Sequence, residues 1–585
     1  MRTAVHVTHE AATKIGGIGA VLNGVCTSDA YKKFFDTTVF YGPLWDFGGS
    51  VSARLGPEGE VLFSTPDFYV SDKYDAHDGI LADISARYNV DIVYGRRRLV
   101  SEYDRSKQNT VDVFLIGINK AHLAEVGKFK YLLWKLYGIQ SELYEGNWDY
   151  EQYLRIAIPY LQILQRFYGV EAEFHHFSHE YMGVACALAA VAATADRAAQ
   201  KSHKTIFVAH EVATARMLVE GAPGHDISFY NILSRFAGQK SLEEVFGDYR
   251  RNARNELVKC AIHFDRIFAV SDIVKDEYLF LQPRTPPGKV CTVFNGLSTR
   301  SISRDEKLER RRRIENYVHT LFGFTPSVIL THVTRMVMSK GIWRDISLLY
   351  HLEELFRARN LKGVYILVST LIGTGRPSQD IMRMEHEYGW PVTHRRGWPD
   401  LVGMEDETWA WLQIFNSRSK AIKALYINQY GFDRVRCGTR VPEKAEFMDM
   451  RVASDAELGF SIYEPFGIAQ IETVPFGGAA LLSSTCGSAK FLERAFEGAD
   501  PRLYEIVDFV SGGKDMAMEQ LRQLGQSQRD EIERAALARH ATHIFESLAA
   551  DDPARERALA LAQPHLYALS WENVVENYYL PNLTT

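Results

Sequence analysis

Apolar runs of strand length alternate with segments of helical period along almost the whole chain, and that alternation restricts its fold more than any other feature. Such runs lie at residues 5–8, 111–118, 174–178, 205–209, 266–270, 328–333, 364–369 and 479–483. A strand that is followed by a helix returns to its sheet as a parallel neighbour, so the pattern predicts α/β architecture, with parallel sheets covered by helices. Pro283, Pro286, Pro287 and the Arg-rich segment 301–313 interrupt the alternation, which places a domain boundary near residue 300. Residues 50–110 read as irregular and loop-rich.

With 585 residues and 46% hydrophobic content the chain can fill several large cores. A net charge of −6 leaves no basic face to displace counterions, so no nucleic-acid partner is expected. The one basic run, residues 310–313, reads as a solvated helix face. Six widely spaced cysteines offer neither a zinc pair nor a disulfide framework, which fits a reducing, cytoplasmic setting. The longest weakly polar stretch, residues 182–195, is shorter than the roughly 20 residues a membrane span requires, and no apolar secretion core precedes the first strand. No membrane partner is expected.

The most specific local signal is Glu464-Pro465-Phe466-Gly467-Ile468-Ala469-Gln470-Ile471-Glu472. A strand over 458–463 is predicted to end at Glu464, Pro465 and Gly467 break the regular backbone, and a helix is predicted to begin near Ile468. Unpaired N–H groups at that helix start, with the positive end of its dipole, suit a diphosphate oxygen. Glu464 would then meet sugar hydroxyls and Glu472 a ribose. The bland alternative is a structural turn carrying two surface glutamates.

A second loop, Lys14-Ile15-Gly16-Gly17-Ile18-Gly19, follows the strand at 5–8 and reads as a phosphate cradle, although its spacing is neither that of the dinucleotide fingerprint nor that of the P-loop. Three strands of the first half end in the same dipeptide: His9-Glu10, His179-Glu180 and His210-Glu211. In an open parallel sheet these ends converge on the ligand crevice. No carboxylate or thiolate spacing completes a metal set with His175, His176 and His179, so neither metal nor cofactor is expected. In the second half, Arg335 and Lys340 flank a strand-to-helix turn, where two cations can hold the phosphates of a leaving nucleotide.

Taken together, Lys14-Ile15-Gly16-Gly17, His179-Glu180, Arg335 with Lys340-Gly341, and the segment from Glu464 to Glu472 resemble the retaining glycogen and starch synthases of the GT-B fold. The order of the motifs matches along nearly the whole chain. Tyr41-Gly42-Pro43-Leu44, Val93-Tyr94-Gly95-Arg96, residues 210–216, Phe229-Tyr230-Asn231 and Ile414-Phe415-Asn416-Ser417 resemble the animal and fungal glycogen synthases in particular. The resemblance implies two facing Rossmann-like domains with the active site in the cleft between them. Residues 1–300 would form the acceptor side with the glycine-rich loop, 301–565 the nucleotide-sugar donor side, and 566–585 a C-terminal helix crossing back to the first domain. It implies catalytic roles for Glu464, His179, Lys14, Arg335 and Lys340, and donor contacts by Gly16, Gly17, Arg216, Phe466, Gly467, Ile468 and Glu472. The reaction implied is transfer of glucose from UDP-glucose or ADP-glucose to the non-reducing end of an α-1,4-glucan, with cations in place of a metal and with the anomeric configuration retained. A homo-oligomer is compatible with this reading.

Competing readings keep the fold: a transferase acting on a small molecule or another polysaccharide, a non-catalytic glucan-binding protein, or a sugar-nucleotide isomerase. The chain departs from the animal and fungal pattern in having only scattered Arg529, Arg534 and Arg539 where those enzymes cluster arginines for glucose 6-phosphate, so activation by that sugar phosphate is not expected.

Overall fold

The computed structural model describes residues 1–14, 16–45, 50–74, 78–194, 202–393, 400–498 and 501–584. Ile15 of the glycine-rich motif lies outside the described residues. The chain divides into two compact units. Met1–Ala215, Phe236–Ser298 and Ser570–Thr585 form the first, and Arg216–Arg235 with Thr299–Leu569 the second. The sequence-based division had placed residues 216–235 in the first half. Buried polar contacts explain the difference: the fully buried Arg344 guanidinium donates to Asp226 and Glu533, each at 2.7 Å, and Asn231 donates to the Val510 carbonyl at 2.8 Å.

The first unit is built on β1 (Arg2–Val7), β2 (Thr37–Leu44), β3 (Gly59–Ser64), β4 (Tyr69–Val70), β5 (Ile92–Val100), β6 (Gln108–Gly117), β7 (Glu173–His179), β8 (His203–Ala209), β9 (Arg266–Ala269) and β10 (Val290–Thr292). Their order is β10-β9-β8-β7-β1-β2-β6-β5-β3-β4. From β10 to β6 every pairing is parallel, and β1 is buried from Thr3 to Val7, as expected for a strand with helices on both faces. Beyond β6 the pairings become antiparallel. Residues 50–110 are therefore not mere loop; they supply β3, β4, β5 and the helix Asp78–Tyr88, with the strands paired antiparallel and outside the parallel crossover pattern.

The second unit contains β11 (Val328–Val333), β12 (Gly363–Val368), β13 (Ile422–Ile427), β14 (Ala456–Gly459), β15 (Ala479–Ser483) and β16 (Tyr504–Val507). All pairs are parallel, in the order β13-β12-β11-β14-β15-β16. Counted within the unit this is 3-2-1-4-5-6, the Rossmann order, and the parallel part of the first sheet reverses in the same way between β1 and β7. Each unit thus has one topological switch point: β1/β7 in the first, β11/β14 in the second. The basic run is not a solvated face. On the helix Arg304–Phe322, Arg311 is buried against Asp455 (2.9 Å) and Glu315 (2.7 Å), while Arg310 and Arg313 both reach the buried Asp449.

The last residues complete the first unit. They form short turns of helix at Trp571–Val574, Val575–Tyr579 and Pro581–Thr584 in place of one continuous C-terminal helix. Trp571 sits where Gly24 leaves room: a Cβ on Gly24 would lie 2.2 Å from the indole, and one on Gly296 would lie 2.6 Å from the Trp571 nitrogen. Gly24 belongs to helix α1 (Gly17–Thr27); the next helix, α2 (Asp29–Phe34), is capped from the far end of the chain. The Glu572 carboxylate accepts hydrogen bonds from Asp29 N and Ala30 N, both at 2.9 Å, satisfying two of the orphan donors at that helix start. Trp571→Ala is expected to destabilise the first unit by about 3–5 kcal/mol, the usual range for deleting a buried aromatic. Denaturant unfolding, with protease sensitivity at the C-terminus, would measure it; an unchanged midpoint would contradict this packing.

Candidate active site

In open α/β sheets ligands bind outside the carboxyl ends of the strands at the switch point, so the loops after β11 and β14 define the place to look in the second unit. The loop after β11 carries Arg335 and Lys340; the loop after β14 carries Glu464. The two are stitched together by backbone, with Ile462 N donating to Ser339 O at 2.8 Å. Gly341 is required there, since its φ is +61° and a Cβ would lie 2.5 Å from the Phe460 carbonyl oxygen. The result is a buried ion pair between Lys340 and Glu464, each under 10% exposed. Ser461 donates a long bond to the same carboxylate at 3.4 Å. An ammonium has three donors, and among the described residues Lys340 uses one, on Glu464. Arg335 is exposed.

Residues 464–467 form a tight, braced turn. The Glu464 and Phe466 carbonyls accept from Gly487 N (2.9 Å) and Ser488 N (2.8 Å). Gly467 has φ +89°, and a Cβ would lie 2.8 Å from both Glu464 Cγ and Gln470 Oε1, so only glycine fits. Phe466 is buried with its ring 5.6 Å from Phe491. Two expectations fail here. The strand ends at Gly459, not at 463, and no long helix starts at Ile468. Short 3-10 turns, Ala469–Ile471 and Val474–Phe476, take its place. Pro475 and Gly477 explain this, because proline lacks the N–H and clashes with the carbonyl four residues back, and the left-handed glycine closes the turn.

Glu472 is held by Arg451 (Nη2 to Oε2 2.7 Å), whose other arm reaches Glu457 of β14 at 3.1 Å. Arg451 is fully buried, and no spacing in the sequence points to it, since its role depends on tertiary placement opposite two carboxylates. Arg216 lies over the Tyr463 ring at 5.4 Å, beside the Glu464 turn.

In the first unit the switch point lies between β1 and β7. After β1 the chain enters the glycine-rich loop, and Glu10 organises it: its buried carboxylate accepts from Gly16 N at 2.7 Å and Gly19 N at 3.0 Å. These amides were expected to cradle a phosphate; the chain's own carboxylate holds two of them. The glycines now separate in role. A Cβ on Gly19 would lie 2.5 Å from Glu10 Oε2 and one on Gly16 would touch Glu10 at 3.4 Å, whereas one on Gly17 would meet nothing within 4 Å. Gly17 is thus the position of this loop that stays open to an approaching group. Lys14 pairs with Glu102 at 3.1 Å, both side chains well exposed, a contact worth little in water. Beside the loop a cavity of about 260 Å³ is lined by Glu10, Lys14, Asn23, Arg97 and Arg98, among others.

The His-Glu dipeptides do converge, but through their histidines. His179 ends β7 and His210 directly follows the neighbouring β8; their rings are bonded, Nδ1 of His179 to Nε2 of His210 at 2.8 Å. His179 Nε2 meets His6 Nδ1 of β1 at 2.9 Å, and His6 Nε2 meets the Tyr31 hydroxyl at 2.9 Å. His6 and Tyr31 were not singled out in the sequence; a histidine inside an apolar strand reveals its partner only when the register is known. The paired glutamates play other parts, Glu10 on the loop and Glu180 in a left-handed backbone conformation (φ +57°). Burial keeps these imidazoles neutral, lowering His6 and His210 to about 3 and His179 well below the usual histidine value.

Two expected outcomes follow from this chemistry. Glu10→Ala leaves two loop amides without their acceptor, each lost bond costing about 1–3 kcal/mol, and hydrogen exchange at Gly16 and Gly19 should accelerate while β1 stays protected. Unchanged exchange would show that the carboxylate does not hold the loop. The histidines set a pH dependence: below 6.5 the unfolded chain takes up protons that the folded His6 and His210 refuse, so stability is complete above 6.5 and falls as pH drops toward 3. The slope is at most about 1.4 kcal/mol per pH unit for each histidine. Urea midpoints at pH 7.5 and 5 would reveal it, and equal midpoints would contradict buried neutral histidines.

No protein-family model matches the chain, and no curated protein does. Among solved structures, an Escherichia coli trehalose-6-phosphate structure with bound UDP-2-fluoro glucose aligns over 100% of this chain and 99% of its own, at 12% identity and a TM-score of 0.49. A UDP-forming α,α-trehalose-phosphate synthase from Burkholderia xenovorans aligns over 100% and 99%, at 14% identity and TM-score 0.46. The catalytic domain of Arabidopsis thaliana starch synthase IV, bound to ADP and acarbose, aligns over 96% and 99%, at 14% identity and TM-score 0.46.

Proposed function

We propose that this chain is a retaining GT-B glycosyltransferase that moves glucose from UDP-glucose or ADP-glucose to the non-reducing end of an α-1,4-glucan. The observation that carries the reading is the buried Lys340–Glu464 pair at the point where the second sheet reverses its strand order. A carboxylate and an ammonium sealed together at a ligand-binding edge are expensive to desolvate, and a bound ligand with one anionic and one electron-poor end uses both. A nucleotide sugar is such a ligand: Lys340 and Arg335 meet the diphosphate, and Glu464 meets the glucosyl hydroxyls.

In this reading the bond from the anomeric carbon to the diphosphate oxygen breaks as the sugar becomes oxocarbenium-like. Lys340 and Arg335 stabilise the negative charge that collects on the leaving diphosphate. Glu464 stabilises the cationic sugar and fixes its orientation. The acceptor hydroxyl attacks from the face the diphosphate leaves, its proton passing to a phosphate oxygen, and the new glycosidic bond keeps the original configuration. Glu472, fixed by Arg451, serves the ribose; Phe466, Gly467 and Ile468 shape the turn against the donor, and Arg216 lies beside it. The glucan acceptor is supported by the resemblance of residues 41–44, 93–96, 210–216 and 229–231 to glycogen synthases.

The decisive measurement is a donor panel with UDP-, ADP- and GDP-sugars, with and without glycogen, read as released nucleoside diphosphate and as lengthened glucan. Release that depends on a small acceptor and leaves glycogen untouched would replace the glucan with that acceptor; conversion of the donor alone into another sugar nucleotide would indicate an isomerase. Glu464→Gln is expected to lower turnover by about 10² or more with donor affinity little changed, because its charge matters most in the transition state. Lys340→Ala should weaken diphosphate binding by roughly 1.5–3 kcal/mol in calorimetry. A Glu464→Gln enzyme with more than half its activity, or diphosphate affinity untouched by Lys340→Ala, would remove these residues from the site.

A further inference from the structure

The histidine chain of the first unit has a direction. Thr38 Oγ donates to the Tyr31 hydroxyl oxygen at 3.3 Å, so the phenol proton is free to point at His6 Nε2, 2.9 Å away. Among the described residues the competing acceptor near that proton is the Cys26 sulfur, 4.0 Å from His6 Nε2, and sulfur accepts weakly. A phenol is the stronger donor and an imidazole nitrogen the stronger acceptor, so Tyr31 donates and His6 carries its proton on Nδ1. Because a neutral imidazole has one donor and one acceptor, every later link is then fixed. His6 Nδ1–H donates to His179 Nε2, His179 Nδ1–H donates to His210 Nε2, and His210 is left with its proton on Nδ1.

Both ring nitrogens of His179 are consumed inside the chain. His210 Nδ1 has no hydrogen-bond partner among the described residues, and His210 is only partly buried, at the C-terminal end of β8 next to the switch point. We infer that His210, not His179, is the residue of this chain that touches the ligand, donating a hydrogen bond from Nδ1 to a ligand oxygen, and that His179, His6 and Tyr31 are positioning residues that fix its tautomer. The ligand oxygen is a hydroxyl or an anionic oxygen, because only an acceptor complements a neutral N–H. On the glycosyltransferase reading above, and resting on it for this step alone, that oxygen belongs to the transferred sugar or its diphosphate.

The polarity is tested on the intact wild-type chain labelled with 15N-histidine. Two-bond 1H–15N correlations distinguish the tautomers, and single histidine substitutions assign the signals. The expected result is the Nδ1–H form for His6, His179 and His210 alike. An Nε2–H form at His210, or an even mixture, overturns the inference whatever the protein's activity. In Tyr31→Phe the lock is gone, and the three signals should shift toward mixed tautomers.

The contact is tested by replacement. An asparagine amide can stand in for the Nδ1 donor and a glutamine amide for Nε2, so His210→Asn should retain turnover within about 10-fold while His210→Gln loses about 100-fold or more. Equal losses in the two variants, or a His210→Ala enzyme as active as wild type, overturn the contact. A donor panel with no transfer would instead defeat the functional reading, and the tautomer of His210, with its shift on addition of UDP, UDP-glucose or glucose, would still decide this inference: no shift with any of them refutes the contact.

Discussion

In the parallel part of each sheet the strand order reverses once beside its first strand, and that single constraint decides which strand ends in this chain can hold a ligand. A strand followed by a helix adds its neighbour on one side; to cover the other face the chain must return to the first strand and build outward the opposite way. The reversal leaves two adjacent strand ends from which the chain departs in opposite directions, the place where open sheets of this kind bind ligands. In the first unit those ends are β1 and β7, in the second β11 and β14. Glu10 and the glycine-rich loop, His179, Lys340 and Glu464 all follow directly from these four strands. Within each unit the candidate residues are brought together by strand order, although they are far apart in sequence.

Much of this was legible. The run at 328–333 is β11 and that at 479–483 is β15, because fully buried parallel strands are written as unbroken apolar stretches. The turn at Glu464 was legible too, since Pro465 and Gly467 leave the backbone few options. The helix after it was not, because residues 468–472 carry a good helical pattern that Pro475 and Gly477 cut short only a turn later. Antiparallel β3 and β5 escaped notice for a related reason: β5 pairs with β6 and β3 with β5, both antiparallel, so neither follows the parallel crossover pattern that marks strands elsewhere.

Side-chain partners were the least legible. The spacing of the glycine-rich loop suggests a phosphate cradle, while in the structure its Gly16 and Gly19 amides donate to Glu10. The sequence suggests that the basic run at 310–313 faces water, while Arg311 lies among Asp455, Glu315 and a backbone carbonyl. In both cases the error has one source. A charge in a sequence shows what it can bond to, but its partner is chosen by tertiary register, and a buried charge must find one. Arg451, fixing Glu472 from a helix some twenty residues earlier, is the same lesson at the candidate site.

The Glu572 carboxylate caps a helix that begins at Asp29, 543 residues earlier in the chain. During synthesis, therefore, the second unit has its full complement of strands while the first still lacks its closing segment. The slot that Gly24 leaves for Trp571 stays open, an apolar vacancy in an otherwise assembled sheet domain, until residues 570–585 emerge from the ribosome. Translation ordinarily lets an N-terminal domain finish first. Here the order is inverted, and a chain truncated between residues 298 and 570 carries a first domain that is complete in its strands and unfinished in its surface, the kind of nascent protein on which chaperones act.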